Sequence, residues 1–130
     1  MYVLENPILG TLKNVLNFYV IGKEWGNPDG EPWIALHGWL DNCGSFDRLI
    51  PYFPENQRIF AIDVPGHGFS SHNSPGFSYH YLDGLQYIRR VADFYNLEKF
   101  NLIGHSMGGG MSFVFAVTHP GTAYTVDQKI

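Results

Sequence analysis

The sequence contains very little cysteine, with Cys43 as its one cysteine in 130 residues. An internal disulfide is therefore excluded, and a reducing compartment suits the chain. A catalytic thiol is not expected, because no basic residue stands next to Cys43 in the sequence to favour the thiolate form.

Basic residues are also scarce, with 8 Lys and Arg against 12 Asp and Glu and a formal net charge of -4. They do not cluster, so the sequence lacks the electrostatic footprint of a protein that binds nucleic acid or an anionic membrane. No apolar run approaches the ~18 residues of a membrane span, and the N-terminus lacks the basic segment that opens a secretory signal. We expect an intracellular protein, cytoplasmic or peroxisomal, with no nucleic-acid partner, no metal and no other cofactor.

Apolar residues, by contrast, are plentiful, at 45% hydrophobic and 16% aromatic, enough for one core and no more than one domain. Apolar runs bounded by turn residues predict strands at 18–25, 33–36, 58–62 and 100–103. Helix periodicity or capping predicts helices from Ser45 to Ile50, over 79–95 and over 107–117. The alternation predicts an α/β fold, a mostly parallel sheet with helices on both faces. Residues 1–17 indicate only a weak edge strand.

The most informative stretch is Gly-His-Ser-Met-Gly at residues 104–108, which fits the nucleophile-elbow pattern G-x-S-x-G. It lies between an apolar run typical of a buried strand and a stretch that is apolar on nearly every side. Ser106 is therefore expected at the tip of a sharp strand-to-helix turn, with its hydroxyl exposed. Gly104 and Gly108 are expected where backbone elements touch and leave no room for a Cβ atom.

A serine that cleaves acyl bonds needs a base, a carboxylate that orients the base, and N–H donors for the oxyanion. One donor should be the backbone N–H of Met107, at the N-terminus of a helix whose dipole favours negative charge. The other should come from the loop after the 33–36 strand, where Gly38 lets the backbone come close and Trp39 can present its N–H.

Three motifs in order now resemble the α/β-hydrolase superfamily: His-Gly-Trp at 37–39, Asp-Val-Pro-Gly-His-Gly-Phe-Ser at 63–70, and the 104–108 pentapeptide. The longer strings at 22–26, 36–42 and 102–109 resemble its serine hydrolase-like branch, which includes the insect kraken-type hydrolases. The resemblance covers residues 18–118. It implies Ser106 as nucleophile, Trp39 and Met107 as oxyanion-hole donors, and carboxylic esters or related acyl compounds as substrates.

In that superfamily the triad acid and histidine follow the serine on loops after later strands. After Ser106 the sequence has one acid, Asp127, and one histidine, His119. We expect Asp127 just ahead of the next strand, at the wrong end of the sheet, and His119 about 20 Å from Ser106 at the far end of the helix. Residues 1–130 are thus predicted to be an incomplete α/β-hydrolase domain, truncated after the elbow helix and lacking acid and histidine. The elbow strand would then be an exposed sheet edge through which the fragment could self-associate.

Two other functions stay open at this point. The chain could be an inactive truncated isoform or fragment that acts, if at all, as a binding module, or the same pocket could carry out acyl transfer. Among the remaining polar residues, His37 and His105 are expected to be structural. Asp63 and His67 are expected to hydrogen-bond to the turn backbone.

Overall fold

The architecture is a six-stranded mixed sheet covered on one face by two α-helices, as seen in a computed structural model that describes residues 2–3 and 19–129, with side chains for 19–123. The strands are β1 (Tyr2–Val3), β2 (Gly22–Gly26), β3 (Glu31–Leu36), β4 (Gln57–Ile62), β5 (Phe100–His105) and β6 (Ala123–Lys129). The helices are α1 (Asp83–Phe94) and α2 (Met107–Thr118). The sheet order is β1-β2-β4-β3-β5-β6, parallel from β4 to β6 and antiparallel at β1 and β2. The predicted fold class is confirmed.

The inner strands are apolar on both faces because both faces are covered. On one face Ile34 and Leu36 of β3 pack with Ile88 of α1 and Phe115 of α2. Ala35, between them, belongs to a second cluster on the other face, whose members are buried on β3, β4, β5 and the segment that follows β3: Ala35, Cys43, Phe46, Ile59, Ala61 and Ile103.

That second face differs from the expectation of helices on both faces. Within residues 19–123 it is covered by two short 3₁₀ turns, Cys43–Phe46 and Ile50–Tyr52, and not by an α-helix starting at Ser45. Asn42 caps the first turn by accepting a 2.9 Å hydrogen bond from the N–H of Gly44. Pro51, in the second turn, has no N–H to donate, so the segment does not continue as a helix.

Two other elements begin later than the sequence suggested. The strand predicted at 18–25 starts at Gly22, because Tyr19 and Ile21 donate their N–H groups to the hydroxyls of Ser71 and Ser70 instead of a neighbouring strand, at 2.7 and 2.8 Å. Residue 18 lies outside the described residues, as does most of the predicted N-terminal strand region. The helix predicted from 79 starts at Asp83.

The position of β6 corrects two further expectations. Asp127 lies inside this strand opposite Ile103, and Lys129 pairs with His105, so Asp127 is near the carboxyl end of β6 and not at the opposite end of the sheet. β5 is an inner strand between β3 and β6, so the elbow strand is not an edge. Self-association through an exposed edge stays a prediction, and the edge in question would be β6. In the part of the chain that the structure describes, neither helix has the length and apolarity to cross a membrane.

The packing of α2 yields a stability prediction. Phe115 is fully buried against Phe100 and His119, with ring centroids 5.8 and 4.3 Å away, whereas Phe113 on the same helix is 60% exposed. Phe115→Ala should lower the free energy of unfolding by roughly 3–5 kcal/mol because it leaves a cavity. Phe113→Ala should change it by less than about 1 kcal/mol. Urea unfolding of both variants provides the comparison, and equal losses would show that α2 does not face the sheet as described.

Candidate active site

The centre of the site is the junction of β5 and α2, where Ser106 has φ 50° and ψ -111°. A positive φ is strained for a residue with a Cβ, and such strain concentrates where a side chain must be held in a special direction. Ser106 is exposed and immediately precedes the first residue of α2. The predicted strand, sharp turn and helix are confirmed.

The two elbow glycines lie where backbone meets backbone. A Cβ on Gly104 would overlap the backbone of Gly108 and Gly109, and a Cβ on Gly108 would overlap the carbonyl of Leu36 at the end of β3. The N–H of Gly108 also donates a 3.1 Å hydrogen bond to the carbonyl oxygen of His37. The start of α2 is therefore pressed against the end of β3, which requires glycine at 104 and 108.

The loop after β3 passes directly beside the serine. A Cβ placed on Gly38 would lie 2.8 Å from Nδ1 of His105 and 3.6 Å from Cβ of Ser106. The next residue, Trp39, has a ring that is 63% exposed. The tertiary structure thus brings together Gly38, Trp39 and Ser106, which the sequence separates by more than sixty residues.

The two backbone donors assigned from the sequence are both unengaged within residues 19–123. Neither the N–H of Trp39 nor that of Met107 donates a hydrogen bond to another residue within 19–123. The N–H of Met107 belongs to the first turn of α2, where the helix dipole favours negative charge. Their role as an oxyanion hole stays a prediction; within residues 19–123 neither N–H group is used in another hydrogen bond, and Trp39 and Met107 line the same cavity as Ser106.

A cavity of about 420 Å³ opens at Ser106, Trp39 and Met107. Val64, Pro65 and Met111 supply apolar wall. Further wall comes from the segment before α1 and from its first two turns, with the residues Tyr79, His80, Tyr81, Asp83, Gly84 and Tyr87.

The sequence reasoning missed this wall because it placed residues 79–82 inside the helix. The signal that could have found it is Asp83, since acidic residues favour the first turn of a helix and the residues before it would then precede the helix. The hydroxyl of Tyr81 donates a 3.3 Å hydrogen bond to the carbonyl oxygen of Met107, which joins the wall to the elbow helix.

His37 connects the three loops of the site but does not face the cavity. Its ring is fully buried, Nδ1 lies 2.7 Å from the carbonyl oxygen of Gly38, and Nε2 accepts a 2.9 Å hydrogen bond from the N–H of Val64. Because a carbonyl can only accept, the network assigns the proton to Nδ1. Both ring nitrogens are occupied, so His37 is not available as a base, in agreement with the structural role expected for it.

Asp63 and His67 hold the 63–70 loop, as expected. The buried carboxylate of Asp63 accepts N–H hydrogen bonds from Cys43 at 2.7 Å and Phe69 at 2.8 Å. His67 places Nδ1 3.2 Å from the carbonyl oxygen of Val64, and its buried Nε2 has no partner among the described residues. The rings of His37 and Trp39 meet the ring of His67 edge-on, at centroid distances of 5.0 and 5.5 Å.

Two other candidates are remote or inert. His119 caps the far end of α2, where its ring stacks on Phe115. Burial and the neighbouring Asp63 raise the pKa of the Cys43 thiol to about 12, so the thiol is protonated at neutral pH and is not a nucleophile.

A mostly parallel sheet with a strained, exposed serine at a sharp strand-to-helix turn is the arrangement of the α/β-hydrolase class. Residues 32–123 match the family model described as alpha/beta hydrolase fold, and the chain belongs to that family.

Comparison with individual proteins narrows the similarity to the serine hydrolase-like group. Over 102 residues, 78% of this chain, it is 50% identical to a probable serine hydrolase of Drosophila melanogaster and 44% identical to a serine hydrolase-like protein of Homo sapiens. The chain spans 31% and 50% of the length of these two relatives. A crystal structure of a hypothetical protein from Pseudomonas aeruginosa superimposes with a TM-score of 0.78 at 41% identity, covering 85% of this chain and 40% of that one. These matches confirm the serine hydrolase-like resemblance drawn from the motifs.

Two glycines in the first turn of α2 form a matched pair for testing the elbow. A methyl on Gly108 meets the backbone of β3, whereas a methyl on Gly110 meets only the hydroxyl end of Tyr81, a side chain that can rotate away. Gly108→Ala should destabilise the protein by roughly 1–3 kcal/mol, since backbone must shift. Gly110→Ala should cost clearly less than Gly108→Ala, because alanine favours a helix and the displaced Tyr81 hydroxyl loses only its 3.3 Å hydrogen bond to the carbonyl oxygen of Met107. Thermal unfolding of both variants tests this, and a neutral Gly108→Ala would contradict the close contact.

The buried ring of His37 predicts a pH dependence of stability. Burial is the main cause that lowers its pKa below the usual 6.5. His67 lowers this pKa further, while the hydrogen bond to Gly38 and the carboxylates of Asp63 and Asp41 oppose the shift.

With a lowered pKa in the folded state, the unfolded chain binds the proton first as pH falls below about 6.5. Stability should therefore decrease with falling pH, by up to about 1.4 kcal/mol per unit for this group, until the folded-state pKa is reached. His37→Gln, which cannot titrate, should lack this component. Urea unfolding between pH 7.5 and 5 compares the two proteins, and identical slopes would contradict the prediction.

Proposed function

We propose that this chain supplies the nucleophile and the oxyanion hole of a serine hydrolase that acts on carboxylic esters or related acyl compounds. The observation that carries the proposal is the exposed Ser106, held at positive φ, which lines one cavity together with Trp39 and Met107, whose N–H groups have no other partner within residues 19–123. Membership of the α/β-hydrolase family and the likeness to serine hydrolase-like proteins support it.

The proposed reaction starts with attack of the Ser106 hydroxyl on the substrate carbonyl while a general base takes the hydroxyl proton. The negative charge on the carbonyl oxygen would be stabilised by the N–H groups of Trp39 and Met107 and by the dipole of α2. Collapse would expel the alcohol, thiol or amine, which receives the proton from the base. Water would then hydrolyse the acyl-serine by the same steps and restore the free hydroxyl.

The base and its carboxylate are proposed to come from outside residues 19–123. Within that range His37 has both ring nitrogens occupied and His119 lies at the other end of α2 from Ser106. His67 and His80 are local alternatives, since both line the cavity, and Nε2 of His67 has no partner among the described residues. A base role for His67 would appear as loss of Ser106-dependent turnover in His67→Phe.

The cavity favours a modest, largely apolar acyl group. Val64, Pro65 and Met111 provide aliphatic and thioether surface, and three tyrosines provide aromatic surface with hydroxyls at their tips. Ester, thioester and amide chemistry share the same tetrahedral oxyanion, so all three lie within the proposal, and acyl transfer to an acceptor other than water uses the same first step.

The decisive test is covalent labelling. In the intact natural protein, a fluorophosphonate probe should label Ser106, because an activated serine displaces fluoride to form a phosphonyl-serine whose P=O oxygen lies in the oxyanion hole. Ser106→Ala should abolish the label, and Ser78→Ala, an exposed serine beside the cavity wall, should leave it unchanged. Gel fluorescence with mass spectrometry of the labelled peptide gives the readout.

The labelling, together with an assay of p-nitrophenyl butyrate turnover, separates the proposal from a non-catalytic binding module. A protein that only binds an acyl compound would bind p-nitrophenyl butyrate without turning it over and without forming the phosphonyl-serine. Undiminished labelling of Ser106→Ala would also overturn the assignment of the nucleophile.

A further inference from the structure

The peptide between Gly38 and Trp39 is held by its carbonyl oxygen. This oxygen accepts one hydrogen bond at 2.7 Å from the Nδ1–H of His37 and another at 3.3 Å from the N–H of Asp41. Because His37 is fully buried, the carbonyl of Gly38 points toward the interior of the protein.

A trans peptide is planar, with its C=O and N–H pointing in opposite directions. No cis peptide occurs among the described residues, so the Gly38–Trp39 peptide is trans. Fixing the Gly38 carbonyl inward therefore turns the N–H of Trp39 outward, on the loop that contacts Ser106 through Gly38. The hydrogen bond from the buried His37 ring to the Gly38 carbonyl oxygen therefore sets the direction of the Trp39 N–H, a group to which the ring makes no hydrogen bond.

This orientation has to be imposed because the turn is strained. Leu40 has φ 55°, a conformation that is unfavourable for a residue with a branched side chain. The turn from 38 to 41 is closed only by the longer hydrogen bond from Asp41. Without the shorter bond from His37, the turn can relax and the Gly38–Trp39 peptide can rotate.

His37 is itself fixed from its other side. Its Nε2 accepts the N–H of Val64, which keeps the proton on Nδ1, where Gly38 needs a donor. The loop after β4, through the N–H of Val64, thus determines which nitrogen of His37 carries the proton. That proton in turn holds the loop after β3 through the carbonyl oxygen of Gly38.

We propose that His37 is a positioning residue for the oxyanion hole: its Nδ1–H fixes the Gly38–Trp39 peptide so that the N–H of Trp39 is directed at the substrate oxyanion. The inference rests on the proposed function, because an oxyanion forms there only if Ser106 attacks a carbonyl.

Two substitutions separate the two hydrogen bonds of the ring. In His37→Asn the side-chain amide can replace Nδ1 and donate to Gly38, while in His37→Gln the side-chain oxygen can replace Nε2 and accept from Val64. With p-nitrophenyl butyrate and the intact protein, His37→Gln should lower kcat roughly ten- to a hundredfold, below the 10²–10³ typical of complete loss of an oxyanion donor. KM should change little, because the donor acts mainly in the transition state. His37→Asn should retain most of kcat, and equal losses in the two variants would overturn the proposal.

A spectroscopic measurement reports the donor directly. Selective ¹⁵N-tryptophan labelling gives a backbone amide signal for each of the three tryptophans in residues 1–130, of which those of Trp25 and Trp33 lie in strands and act as internal references. When a fluorophosphonate occupies Ser106, the Trp39 amide proton should move downfield in the wild type and in His37→Asn, but not in His37→Gln. A full downfield shift in His37→Gln would contradict the positioning role, whatever the stability of that variant.

The resting protein supplies a test that needs no activity. Long-range ¹H–¹⁵N correlation of the histidine rings should show His37 as the neutral Nδ1–H tautomer, and an Nε2–H tautomer would overturn the proposal even if His37→Gln failed to fold. Failure of the proposed function looks different, since Ser106→Ala would then keep its label while the His37 tautomer stayed as stated.

Discussion

The site depends on one close contact, the approach of the first turn of α2 to the end of β3. Gly104 and Gly108 allow it because neither carries a Cβ, and the N–H of Gly108 donates to the carbonyl oxygen of His37 across it. The contact forces the sharp reversal at Ser106 and its positive φ, and it also brings the loop after β3 within reach of the serine. A single steric condition thereby sets the positions of both Ser106 and the loop after β3.

The second constraint is polar and runs through the interior beside the cavity. Asp63 fixes the 63–70 loop and the turn at Cys43, and Val64 in turn fixes the ring of His37. Buried polar groups of this kind are stabilising only when each has its partner, so the network tolerates few substitutions. The three motifs of the sequence are thus three parts of one hydrogen-bonded assembly at the carboxyl ends of β3, β4 and β5.

The elbow could be predicted because its signal is local. Ser106 lies between two glycines, a buried strand and an apolar helix, and all four features fall within residues 100–118. The cavity wall could not be predicted in the same way. Tyr79 and Tyr81 fit the helix periodicity, so the pattern did not distinguish a place in the helix from a place in the cavity wall. They lie in the wall because α1 begins only at Asp83 and because the hydroxyl of Tyr81 donates to the carbonyl oxygen of Met107. Asp127 was misplaced for a similar reason, since its level on the sheet follows from pairing with Ile103.

The sequence by itself determined the α/β class, the family resemblance, the elbow serine, and the loops that approach it. These follow from composition, periodicity and short motifs, which depend on the covalent chain and on steric rules that act over a few residues. Tertiary structure decided which strand lies beside which, which helices share a face, and which nitrogen of His37 carries the proton. Those outcomes depend on contacts between segments far apart in the chain, such as Val64 with His37, and local sequence has no means to encode the distance between two side chains that meet only after folding.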